Sequence, residues 1–192
     1  MSEIDPARII ESSKHRIALE REHIGKLILD IGGGGEGIIG KLYGRNVVAI
    51  DPRLDELEET ENDSIKIVMD GCDLKFTRGL FDAATSFFTL MYMSTQDKVR
   101  AVFEIRRVLK PGGVFEIWDT VVPALDGGEK DVFILHLDVE LPSETISTGY
   151  GVGMNNEGQS IDGIVEILKE AGFSIEESTE SADGIFRIRC VS

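Results

Sequence analysis

Cysteine is almost missing from this chain. Cys72 and Cys190 are its two cysteines in 192 residues, far apart and at no metal-ligand spacing. They build neither a disulfide framework nor a metal site, and such usage suits a reducing cytoplasm. Basic residues are also few, 20 Lys and Arg against 35 Asp and Glu, for a formal net charge of −15. A chain this acidic repels phosphate backbones unless a basic face is segregated, and Arg106, Arg107 and Lys110 form too small a cluster for that, so nucleic acid is not an expected partner. No apolar run approaches the ~20 residues of a membrane span. The charged opening "MSEIDPARIIESSKHRIALEREHIG" lacks the apolar core of a signal peptide, so no membrane partner is expected and a cytoplasmic location is. The three histidines, His15, His23 and His136, read as surface or packing residues, and no general base is identified.

What is present is the composition of one globular domain, 42% hydrophobic and 29% charged, without repeats or low-complexity tracts. At this length a fold hides roughly 70% of the surface of the unfolded chain. Strand-like and helix-like segments alternate, the pattern of an open α/β sheet. Short, branched, apolar runs predict strands at Leu27–Ile31, Asn46–Ile50, Ile65–Met69, Asp82–Phe87 and Gly113–Asp119,. Thr95–Leu109 has an apolar face, a polar cap at Ser94 or Thr95 and a stop at "KPGG", which predicts a helix. A second helix, Ile161–Ala171, ends at Gly172 and leads to two final strands, Phe173–Thr179 and Gly184–Val191. Asp5 to about Gly25 reads as a helix that covers the sheet edge or acts as a lid. The segment 132–152 reads as a two-stranded insertion, either a sheet extension or a cover or dimer contact, and the chain as a monomer or homodimer.

The stretch "LILDIGGGGEGIIG" holds Gly-x-Gly-x-x-Gly at Gly32, Gly34 and Gly37, between a strand and a helix, where a dinucleotide-binding turn is expected. Asp51 ends the second strand nineteen positions after Gly32, placed to take ribose hydroxyls. Asp30 and Glu36 are the anomaly. A pyrophosphate about 5 Å from a carboxylate costs roughly 3 kcal/mol at an effective dielectric near 20. S-adenosylmethionine instead brings a sulfonium and an ammonium, to which the same acids are attractive. Asp70 and Asp73 follow the third strand, making five acids aimed at one region.

"LILDIGGGGEG", "VVAIDPR", "IVMDGCDLKF", "FDAATSFFTLMYM" and "RVLKPGGVFEIWD" together resemble the class I S-adenosylmethionine-dependent methyltransferases, in the branch similar to the ubiquinone/menaquinone biosynthesis C-methyltransferases. The resemblance covers about Leu27 to Asp119. It implies a Rossmann-like, seven-stranded, mostly parallel sheet with the last strand antiparallel and helices on both faces. It implies S-adenosylmethionine as cofactor and S-adenosylhomocysteine as product, held by Asp30, Gly32, Gly33, Gly34, Asp51, Pro52, Asp70, Gly71, Ser86 and Phe87. Asp51 would hold the ribose, Asp70 and Gly71 the adenine, and Ser86 and Phe87 would lie over the cofactor. Phe88, Tyr92, Trp118 and Tyr150 are the aromatic residues expected to line a pocket for a small or medium-sized acceptor. The chain departs from the family in two places. Its glycine loop is one residue longer, and Phe87, Met91 and Tyr92 stand where quinone methyltransferases tend to show asparagine and histidines. Two other readings stay open: an NAD(P)-dependent oxidoreductase, opposed by Asp30 and by the lack of a Tyr-x-x-x-Lys pair, and a non-catalytic cofactor-binding protein.

Overall fold

The computed structural model describes residues 6–125, 127 and 130–192. Ten strands form two sheets. In chain order they are β1 (Ile9–Ala18), β2 (Ile28–Ile31), β3 (Val47–Asp51), β4 (Ile65–Val68), β5 (Phe81–Phe87), β6 (Leu109–Thr120), β7 (Val132–Glu140), β8 (Thr145–Gly153), β9 (Ser174–Glu180) and β10 (Ile185–Val191). The helices are α1 (Ile38–Tyr43), α2 (Leu54–Glu59), α3 (Thr95–Val108) and α4 (Ile161–Glu170).

The main sheet has seven strands in the order β4-β3-β2-β5-β6-β10-β9. β2 runs parallel to β3 and β5, β3 to β4, and β5 to β6, while β10 lies antiparallel between β6 and β9. Strand order reverses at β2, which opens a crevice beyond the carboxyl ends of β2, β3 and β5, the place where open α/β sheets receive ligands. Central strands are apolar on both faces because both are covered. Ile28, Val47, Ala49 and Ala83 pack on one side with α1, and Leu29, Val48, Ile50 and Ala84 on the other with α3 and α4. Side-chain caps start the two longer helices: Ser94 Oγ accepts from Asp97 N–H and Ser160 Oγ from Gly163 N–H, each at 3.2 Å.

The N-terminal segment corrects the helix expected over 5–25. Residues 1–5 lie outside the described residues, Pro6–Arg8 form a 3-10 turn, and Ile9–Ala18 is a strand. β1 pairs parallel with β7, and β7 antiparallel with β8, so the insertion is two strands of a three-stranded sheet. Tertiary pairing decides the outcome: "IIESSKHRIA" carries branched residues and two serines, poor helix material, and β7 offers it an open edge,. Phe133, Leu135, Leu137 and Val139 of β7 point alternately into the core beside α1, so the small sheet covers part of one face of the large one.

Candidate active site

One cleft of about 910 Å³ opens at the carboxyl ends of β2, β3, β4 and β5. Its floor is the glycine loop, Gly32 to Gly37, and close packing requires those glycines. A Cβ on Gly33 would stand 2.6 Å from Asp30 Oδ2 and 2.7 Å from Ala49 Cβ, and one on Gly34 would stand 2.6 Å from Glu56 Cβ. The N–H groups of Gly32 and Gly33 donate to Ile50 O, that of Gly35 to Glu56 O, and that of Gly37 to Gly34 O. These four amides are turned to protein carbonyls and are not offered to a pyrophosphate,.

Charge reinforces this. Asp30, Glu36, Asp51, Glu56, Glu59, Asp70 and Asp97 line the cleft, with Arg53 as the one basic residue among the described lining. Asp30 is fully buried. Burial pushes its pKa up to about 7, the bond from the Thr85 hydroxyl opposes that, and the Asp51 charge adds to it. Asp51 accepts Arg53 N–H at 2.9 Å through Oδ1, with Oδ2 toward Gly34. Asp70 accepts Cys72 N–H at 2.8 Å. Such a lining favours a guest with surplus positive charge and disfavours a diphosphate.

The opposite wall is aromatic. Phe88 has a positive φ of 48°, a strained conformation for a bulky residue. It is held there by its N–H bond to Trp118 O at 2.8 Å and by its ring, stacked 5.8 Å from that of Tyr150. Tyr92 ends a 3-10 turn, Leu90–Tyr92, whose Met91 N–H donates to the buried Asp119 carboxyl at 3.3 Å. Asp119 also receives Gln159 Nε2 at 2.9 Å, and burial pushes its pKa up to about 7. Tyr150 comes from β8 and donates its hydroxyl to Glu36 at 3.1 Å, and the Thr148 hydroxyl reaches the same carboxylate. The small sheet is thereby bonded to the glycine loop.

A family profile described as a methyltransferase domain matches residues 29–117, the segment that builds the crevice. The match takes in just under half of this chain and makes that segment similar to a methyltransferase domain. The chain is 34% identical over 105 residues to a sterol 4-C-methyltransferase of Caenorhabditis elegans, a match that takes in 51% of this chain and 29% of the worm protein, so the chain spans under a third of that relative. Among solved structures its fold is similar to that of an S-adenosylmethionine-dependent methyltransferase from Mesorhizobium loti (TM-score 0.62, 14% identity, 89% of this chain and 93% of that one). It is equally similar to that of a Pyrococcus horikoshii protein (TM-score 0.61, 18% identity, 85% and 81%).

The fold brings most of the sequence-derived site together. Asp30, Gly32, Gly33, Gly34, Asp51, Pro52, Asp70, Gly71, Phe87, Phe88, Tyr92 and Tyr150 all line the cleft. Three residues do not. Ser86 is fully buried, because alternation along β5 turns it into the sheet while Phe87 faces the cleft. Trp118 shares the face of Phe87, their rings 6.0 Å apart, but stands one strand further from the glycine loop and lines a separate cavity of about 430 Å³, where Arg187 lies 5.5 Å above its ring. Asp73 is an exposed partner of Lys75 rather than a cleft acid. Glu56, Glu59 and Asp97 went unnoticed because they stand on helices, where acids are ordinary surface residues. Cys72 also lines the cleft as a thiol, with burial first and Asp70 second pushing its pKa up to about 11.

Proposed function

We propose that this chain transfers a methyl group from S-adenosylmethionine to a small or medium-sized acceptor. The observation that carries the reading is the cleft itself: seven carboxylates against one guanidinium around a glycine loop four of whose amides serve the protein's own carbonyls. The residues fit the cofactor. Asp51, through its Oδ2, receives the ribose hydroxyls, Asp70 and the Gly71 backbone meet the adenine, and Asp30 and its neighbours balance the cationic end. Pro52 and Phe87, which line the same cleft, would border the nucleoside.

Bound S-adenosylmethionine supplies an activated methyl on a positively charged sulfur. The chain's part is to orient. Holding a nucleophile in line can contribute up to roughly 7–11 kcal/mol, and the Phe88, Tyr92 and Tyr150 wall is the surface that would hold it. The acidic balance also supports a cytoplasmic protein acting on small molecules, as a monomer or homodimer, rather than on nucleic acid. Titration calorimetry tests the reading: S-adenosylhomocysteine is expected to bind at micromolar concentration and NAD not to bind. The reverse outcome would make the chain a nicotinamide-binding protein.

A further inference from the structure

The aromatic wall and Glu36 form a unit that cofactor binding leaves unexplained. Glu36 belongs to the glycine loop, yet it is engaged by the hydroxyls of Thr148 and Tyr150, more than a hundred residues away. Beside it stand Phe88, stacked on Tyr150, and Tyr92, half of whose surface is open. Gly149 and Gly151 flank Tyr150 and line the cleft, and a Cβ on Gly151 would meet nothing within 4 Å. Tyr92 and Tyr150 both line the cleft, so a guest in it reaches their rings.

Two tyrosine rings beside a carboxylate, Tyr150 backed by the buried Phe88, in a cleft whose other charges are nearly all negative, form an arrangement that selects an organic cation,. An anionic acceptor such as a phenolate or carboxylate would meet repulsion from Glu36, Glu56 and Asp97 alike. Both tyrosines remain protonated at neutral pH. Burial pushes Tyr92 up to about 12, and burial with the adjacent Glu36 raises Tyr150 well above its ordinary value. Neither is a phenolate base. Because the Tyr150 hydroxyl donates to Glu36, its own lone pairs are available to accept an N–H from a guest.

We propose that the methyl acceptor is a primary or secondary amine, received as its ammonium by Tyr92 and Tyr150, with Phe88 backing the Tyr150 ring, and that its proton leaves through the Tyr150 hydroxyl to the Glu36 carboxylate. This rests on the methyltransferase reading above. The balance is simple. The ammonium N–H bond breaks, its proton passes to the Tyr150 oxygen, and the proton of that hydroxyl moves to Glu36. The freed nitrogen lone pair forms the new N–C bond to the methyl carbon as the C–S bond breaks with its electrons going to sulfur. The product is the N-methylated ammonium and the thioether, and protonated Glu36 returns its proton to solvent.

The test uses the full chain and the variants Glu36→Gln and Tyr150→Phe. Affinity for S-adenosylhomocysteine is measured first and is expected to change less than about threefold, since Gln still accepts both hydroxyls. No binding to the unaltered chain would sink the methyltransferase reading itself, and this inference with it. Calorimetry on the S-adenosylhomocysteine-loaded protein then compares phenyltrimethylammonium, a cation that cannot react, with phenol. The cation should bind at least about tenfold tighter, and Glu36→Gln should remove most of that preference. Finally, methyl transfer from labelled cofactor is followed with phenethylamine, protonated at neutral pH, and with aniline, which is not. Both variants should slow phenethylamine by about tenfold or more and move its rate maximum to higher pH, while aniline loses little. Preference for phenol over the cation, absence of label in either amine, or equal losses for both amines would each overturn the proposal.

Discussion

Asp30, buried at the foot of the cleft, receives the Thr85 hydroxyl at 2.7 Å. With its pKa near 7, mainly through burial, the folded protein keeps a proton between about pH 4 and 7 that the unfolded chain has released. Stability from this group is therefore present in the acidic part of that window and is lost as pH rises through 7, by up to about 1.4 kcal/mol per pH unit. Asp119 acts in the same window and direction. Asp30→Asn should gain stability relative to the unaltered chain as pH rises from about 5 to 8, measured by urea unfolding. If Asp30 faces the cationic end of the cofactor, S-adenosylmethionine should bind more tightly at pH 8 than at pH 6, with proton release visible in buffers of different ionisation enthalpy.

The glycine loop offers a steric contrast. Gly33→Ala forces a Cβ against Asp30 and Ala49, an overpacking expected to cost about 1–3 kcal/mol and to abolish S-adenosylhomocysteine binding. Gly151→Ala points into open space and should change stability by less than about 0.5 kcal/mol. Thermal melts with and without S-adenosylhomocysteine distinguish the two.

Phe88 separates ring from backbone. Phe88→Ala removes a buried, stacked ring while keeping a Cβ at φ 48°, for an expected loss of roughly 3–5 kcal/mol. Phe88→Gly loses the same ring but relieves the backbone, and should be about 1 kcal/mol more stable than the alanine variant. The same order in chemical denaturation would establish strain at this position, and the reverse order would exclude it.

Two acids of the cleft should differ in weight. Asp51→Ala removes the carboxylate assigned to the ribose, a loss of about 2–3 kcal/mol or roughly 30- to 160-fold in S-adenosylhomocysteine affinity. Glu36→Ala, whose carboxylate is already bonded to Thr148 and Tyr150, should weaken it only mildly. Calorimetry on the two variants reads this directly, and equal losses would reassign both roles.

The parts of this fold readable from sequence were those written in local chemistry. Strand β2, its glycines and Asp51 sit in a continuous stretch whose order fixes their geometry, and Ser94 and "KPGG" mark the two ends of α3. Asp30 and Glu36 pointed to a cationic guest because charge is legible without coordinates. What was hidden depended on partners distant in the chain. β1 is a strand only because β7 pairs with it. Trp118 carried no mark of which cavity its place on β6 borders. The bond from Tyr150 to Glu36 joins residues that no spacing rule connects, so the acceptor wall was visible only as a set of aromatic residues.

β1 and β7 run parallel with partners such as Ile9 and Val132, 123 positions apart. At ~5–20 residues per second on the ribosome, roughly 6–25 s separate the synthesis of one from the other. Throughout that interval the large sheet can assemble around β2, β3 and β5, whose pairings need less chain, while the N-terminal strand waits without a mate. The glycine loop is thus born early and its Tyr150 wall late. Nascent chains halted before β7 should fold a nucleoside-binding half that has Phe88 and Tyr92 but lacks the Tyr150 side of its acceptor wall.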